Sequence, residues 1–129
     1  MTFTRKNMVS FTVWTSFGLK DLKNRTNNNP VDFRIASLDY DPAWKVGDRF
    51  IILNTSNSGI DFLPEKEMEV IVKQRRHVLK LGKEQDKEQG KARDILETQI
   101  FVEIAEKEDF QQIRETIQRL NPGRFENVE

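Results

Sequence analysis

Apolar residues alternate with polar ones in segment after segment of this chain, and a period of two dictates a sheet. Val9, Phe11 and Val13 fall on one side of an extended segment, with Ser10 and Thr12 on the other; this is the pattern of a half-buried strand. Phe33 and Ile35 predict a second short strand, the run Phe50 to Leu53 a buried third, and Met68, Val70 and Val72 a fourth. Val78 to Leu81 predicts the next, and Ile100, Val102 and Ile104 a long last one. Polar turns separate these segments: Asn27-Asn28-Asn29-Pro30, Asp39-Tyr40-Asp41-Pro42, Lys45-Val46-Gly47-Asp48 and Thr55 to Gly59. Asn tolerates turn conformations and Pro removes a backbone donor. Phe17 to Lys23 fits a short helix, followed by a polar loop over Asn24 to Asn29.

The period changes near the end. Phe110, Ile113, Ile117 and Leu120 are spaced for one helical face, with Asp109 as the cap and Asn121-Pro122-Gly123 as the stop. Between Gly82 and Asp94 nearly every residue is charged or polar. With no apolar surface to bury, residues 82–94 are expected to form an exposed charged connection. Sequential strands usually neighbour each other, so 78–81 should pair across it with the strand ending at Ile104. Residues 124–129 read as a frayed tail. Many short strands with one or two helices predict an α+β fold. Its simplest form is a twisted, mainly antiparallel sheet or small split β-sandwich with a C-terminal amphipathic helix.

A length of 129 residues allows one domain with a modest core, and 33% charged against 36% hydrophobic residues fits a soluble globular chain. Twenty-one basic and 21 acidic residues cancel, so no global attraction to nucleic acid or anionic lipid follows. The absence of cysteine excludes disulfides, thiolate zinc sites and a cysteine nucleophile. No stretch approaches the ~20 apolar residues of a membrane span. Arg5-Lys6 before Met8-Val9 imitates a signal peptide, but Ser10, Thr12, Thr15 and Ser16 break the apolar run. The expected location is the cytoplasm, or outside the cell by a leaderless route.

Glu65-Lys66-Glu67 runs straight into the strand Met68 to Val72. Two carboxylates one residue apart on an extended segment share a side and repel, which favours solvent or a cationic partner. The stretch Gly59 to Ile71 resembles the Glu-x-Glu loop and strand of arginine-directed mono-ADP-ribosyltransferases. Met8-Val9-Ser10-Phe11-Thr12 resembles that family's Ser-x-Thr strand, and the two occur in the family's order. The segments Met68 to Val72, Arg76 to Leu81 and Ile100 to Ile104 are similar to its closing strands. The resemblance implies NAD as substrate, with nicotinamide leaving and ADP-ribose passing to a protein arginine or similar acceptor. Glu67 would be the catalytic glutamate and Glu65 would orient the acceptor guanidinium. Ser10 and Thr12 would serve the cofactor side, Ser10 by orienting the glutamate. The family's early-strand arginine has no counterpart, since Arg5 is too close to Ser10 and Arg34 follows it.

Lys73, Arg75, Arg76, His77 and Lys80 form one basic cluster. On a strand, Lys73, Arg75 and His77 would share one face, and Arg76 and Lys80 the other. Phosphate contact is the functional reading, with Arg76 on a cofactor or with Lys73, Arg75, Arg76 and Lys80 on nucleic acid. A solvated face balanced by Glu65, Glu67 and Glu69 is the structural one. His77 is the sole histidine, so no His-His or His-Cys metal pair exists. Trp14, Phe17, Phe33, Tyr40, Trp44 and Phe50 could stack bases or fill the core. Thr55 to Gly59 could cradle an anion but has neither the lysine nor the helix of a P-loop. Pro42 to Asp48 resembles the Gly-Asp turn of small barrels that bind modified nucleotides or RNA. That supplies an alternative to the enzyme, a small β-rich nucleotide- or nucleic-acid-binding module. A non-catalytic protein-interaction domain is a third.

Overall fold

The alternating segments pair as one sheet in the computed structural model, which describes residues 9–17, 31–82 and 94–125. The strands are β1 (Val9–Ser16), β2 (Asp32–Leu38), β3 (Arg49–Leu53), β4 (Glu67–Lys80) and β5 (Ile95–Ile104), followed by helix α1 (Lys107–Leu120). They lie in the order β2-β1-β5-β4-β3. β1 and β5 run parallel, and the other three pairings are antiparallel. The fold is mixed α+β. β4 and β5 pair across the 82–94 connection, Lys80 against Ile95, as the adjacency of sequential strands predicts.

The two segments expected at 68–72 and 78–81 are a single strand of 14 residues. The charged stretch between them extends the strand because β5 receives it: Gln74 faces Phe101, Arg75 faces Ile100 and Arg76 faces Gln99. A bulge between Val72 and Gln74 accompanies the join. An extra residue there shifts the alternation, so Arg75 and His77 continue the face of Met68, Val70 and Val72. Arg76, Val78 and Lys80 turn to the opposite face.

The sheet curls. β2 and β3 stand at its opposite edges, yet residues of both line one cavity. The concave side holds the core, with Val13, Val70, Val72, Ile100 and Val102 all buried. α1 covers one end of it through Ile113 and Ile117. There Phe17 packs against Phe33, Phe62 and Phe110 with centroids 5.6, 6.1 and 5.8 Å away. The helix starts at Lys107 behind Glu106, which makes no side-chain capping bond. Asp109 is therefore not the cap. It sits buried in the first turn and pairs with Lys66 at 2.5 Å. Leu120, expected on the buried face, is 57% exposed.

The tail is docked at its start. Phe125 is buried in the core, under the Arg114 guanidinium at 4.2 Å from its ring centroid, and Arg124 lies over Phe33 at 4.4 Å. An apolar ring just past the Pro122-Gly123 turn re-enters the core, which a polar composition alone did not suggest. The expected helix and loop over 17–29, the 82–94 connection and the end of the tail lie outside the described residues, apart from Phe17, Gly82 and Asp94.

Candidate ligand site on the concave face

The turn Lys45-Val46-Gly47-Asp48 is what shapes the site. Gly47 adopts φ +98°, a conformation that costs glycine little. Its N–H donates to the Val72 carbonyl at 2.8 Å, and the Val72 N–H donates to the Asp48 carbonyl at 2.8 Å. Asp48 closes the turn on itself by accepting from the Lys45 N–H at 2.8 Å. The turn is thus bonded to β4 at the bulge, and the chain just before it, including Trp44, is held over the concave face.

Trp44 stacks on Phe50 at 4.0 Å with the planes 7° apart. The two rings form one wall of a partly open cavity of about 220 Å³, faced by Val13, Ala36, Leu38 and Ile52. An engineered 150 Å³ apolar cavity takes a benzene, and pockets for drug-sized ligands begin near ~300 Å³. This one lies between those sizes. Asn54 and Ser58 supply the polar atoms at its far end, but these tie the 54–63 loop together. Asn54 donates to the carbonyls of Leu63 (2.8 Å) and Ile60 (3.3 Å) and accepts from Ser58.

Charge gathers at the other side. Val13 of the cavity faces Ile100, which faces Arg75, so Arg75 lies in the same cross-strand row. Its guanidinium donates to the Trp44 carbonyl at 2.7 Å and to Asp41 at 3.2 Å. Those bonds, the second an ion pair with Asp41, use two of five N–H donors and fix the guanidinium beside the backbone of Trp44, a residue of the cavity lining. The Ala43 amide, and then Arg75, hold the Asp41 carboxyl below its ordinary pKa. One step along the same face, His77 Nδ1 lies 3.0 Å from Thr98 Oγ1.

The opposite face carries a second polar cluster. Glu97 is 3% exposed. Its carboxylate accepts from Thr12 Oγ1 (2.9 Å), Gln99 Nε2 (2.9 Å) and Lys80 Nζ (3.1 Å). Burial pushes its pKa up, but these three donors outweigh burial and hold the carboxyl below its ordinary value. Arg76 donates to Gln99 Oε1 through Nε (3.0 Å) and Nη2 (2.6 Å) and lies 5.7 Å from the Phe101 centroid. Trp14 stacks on Phe101 at 6.3 Å and donates to Thr12 at 2.8 Å. This cluster is saturated with its own hydrogen bonds, which suits a structural plug better than a binding surface.

The residues expected to form a site divide between these places. Thr12 and Arg76 meet through Glu97 and Gln99, and Ser10 faces Glu97 across the ladder. Glu65 and Glu67 do not join them. Glu97 faces Val78 of β4, whereas Glu67 is the first residue of that strand. Most of a 14-residue strand, roughly 35 Å of it, and the whole of β5 therefore separate Ser10 from Glu67. The basic cluster also divides. Lys73 pairs with Glu103 (3.1 Å), Lys80 with Glu97 and Arg76 with Gln99 on the convex face, while Arg75 and His77 turn to the concave side. Lys73 does not share the face of Arg75 and His77, because the bulge intervenes.

Asp41, Thr98, Glu97 and Gln99 were not singled out by sequence reasoning. An acid and an amide set into an otherwise apolar strand, at Glu97 and Gln99, were the available signal. Among the described residues no group of three or more His, Asp or Glu is placed to hold a metal ion. Among the described residues no helix is long and apolar enough to cross a membrane. No family model, curated protein or solved structure matches the chain.

Proposed function

We propose that the chain is a small nucleotide-binding module that takes a nucleobase in the concave cavity and its phosphate at Arg75. The observation that carries this reading is the juxtaposition of a planar-ring-sized cavity, walled by stacked Trp44 and Phe50, with a guanidinium anchored on the Trp44 carbonyl. An apolar, aromatic slot selects flat heterocycles by shape and stacking, worth about 1–3 kcal/mol per base. A guanidinium held in place by Asp41 and a carbonyl meets phosphate without first losing its own rotamer freedom. The polar atoms of Asn54 and Ser58 are spent on the loop, so discrimination among bases rests on ring size.

One ordered cation contacting phosphate gives a shallow salt dependence, of slope about −0.7 per contact for a single strand. Titration of the four nucleoside monophosphates and of a short single-stranded oligonucleotide, followed by calorimetry, is the test. Binding that weakens in Trp44→Leu and in Arg75→Gln but not in Lys73→Gln supports the reading. Indifference to Trp44 and Arg75, or a salt slope demanding three or four phosphate contacts, overturns it.

A further inference from the structure

Open sheet edges attract other strands, and proteins usually guard them with charged or polar side chains. The two edges of this sheet are guarded unequally. On β2, the convex-side residues Arg34 and Ser37, opposite Trp14 and Thr12, are exposed and hydrophilic. On β3 the corresponding side presents Ile51 and Leu53, 53% and 59% exposed.

The backbone of β3 is equally open. Because the Val72 N–H donates to Asp48, ladder alternation has Phe50 and Ile52 spend their N–H and C=O groups on β4. Arg49, Ile51 and Leu53 turn theirs outward. Directly across the ladder, Glu67 faces Leu53 and Glu69 faces Ile51, on the same convex face. Arg49 holds Glu69. Glu65 and Glu67 are exposed and have no ionic partner among the described residues, and the lysine between them is turned away to Asp109. The edge is therefore aliphatic with an acidic border.

We propose that β3 is a strand-addition site for an extended segment of another protein that carries lysine or arginine at alternate positions. Backbone bonds to Arg49, Ile51 and Leu53 would supply the pairing. The aliphatic stems of the basic residues cover Ile51 and Leu53, and their heads reach Glu65 and Glu67. Two strand spacings, roughly 10 Å, lie between an added strand and Glu67, a span that a long basic side chain and a glutamate close together. The site goes beyond nucleotide binding and stands or falls separately: Ile51, Glu65 and Glu67 do not line the cavity, and Leu53 is the one recognition residue shared with its lining.

The test titrates a short peptide of alternating lysine and valine, and a matched glutamate–valine peptide, onto the full chain. The lysine peptide binds and the glutamate peptide does not, and the Ile51 and Leu53 amides gain protection from hydrogen exchange. Replacing both acids (Glu65→Lys with Glu67→Lys) weakens binding roughly tenfold, the effect of two exposed ion pairs. Ile51→Pro, which removes an outward N–H, abolishes it; should that variant misfold, the charge variants and amide protection decide. Equal binding of both peptides, or saturation without protection of β3, overturns the proposal. Self-association of the chain through β3 also overturns it, in favour of a second copy as occupant.

Discussion

Glu97 shows how a charge survives inside so small a protein. A buried carboxylate is tolerated only when its lone pairs are filled, and Thr12, Gln99 and Lys80 fill them. Thr12→Val removes one donor while keeping the shape, and the domain should lose about 1–3 kcal/mol in chemical denaturation. Thr15 is the opposite case: it is fully buried, and its hydroxyl has no hydrogen-bond partner among the described residues. Thr15→Val should therefore be neutral or stabilising, by up to about 1 kcal/mol in the same measurement. Because the folded pKa of Glu97 lies below its unfolded value of about 4.5, the unfolded state binds the extra proton. Stability from this group is complete above that value and is lost as pH falls through the folded pKa. Glu97→Gln should flatten that acid limb of the stability profile. Thr12 was legible as a polar strand position, but its partner lies 85 residues away, and no local pattern links them.

At the scale of elements, periodicity located every strand core and the helix, since a row of buried side chains leaves its period in the sequence. Where it misplaced a boundary, a tertiary partner decided. The charged stretch 74–77 belongs to β4 because β5 pairs with it, and α1 starts behind Glu106 while Asp109, inside its first turn, pairs with Lys66. Gly47→Ala tests the turn. A Cβ there meets no atom within 4 Å, so the cost is purely conformational at φ +98°, about 1–2 kcal/mol in thermal denaturation. Ile117, 3% exposed on α1, should cost about 2–5 kcal/mol when cut to alanine. Denaturant midpoints read this directly, and a change below 1 kcal/mol would mean that the helix does not seal the core.

For the whole molecule the decisive feature is the curl. It brings β2 and β3 from opposite edges to one cavity and sets Arg75 beside it, a closure that no strand announces by itself. The same topology separates Ser10 and Thr12 from Glu65 and Glu67, although their order along the chain suggested one site. Order is a one-dimensional property, and the parallel pairing of β1 with β5 rearranges it. Lys45 to Asp48 were legible as a turn, and the turn's bonds to Val72 hold the chain beside Trp44, which lines the cavity. The most direct measurement of the central claim is a chemical-shift titration of the labelled chain with a purine and a pyrimidine monophosphate. Nucleotide binding in the cavity predicts saturable shifts at the Val13, Ala36 and Ile52 amides and at the Trp44 and Arg75 side chains, absent in Arg75→Gln for the phosphate-dependent part. Shifts confined to the Thr12–Glu97–Arg76 face, or none at millimolar nucleotide, would contradict it.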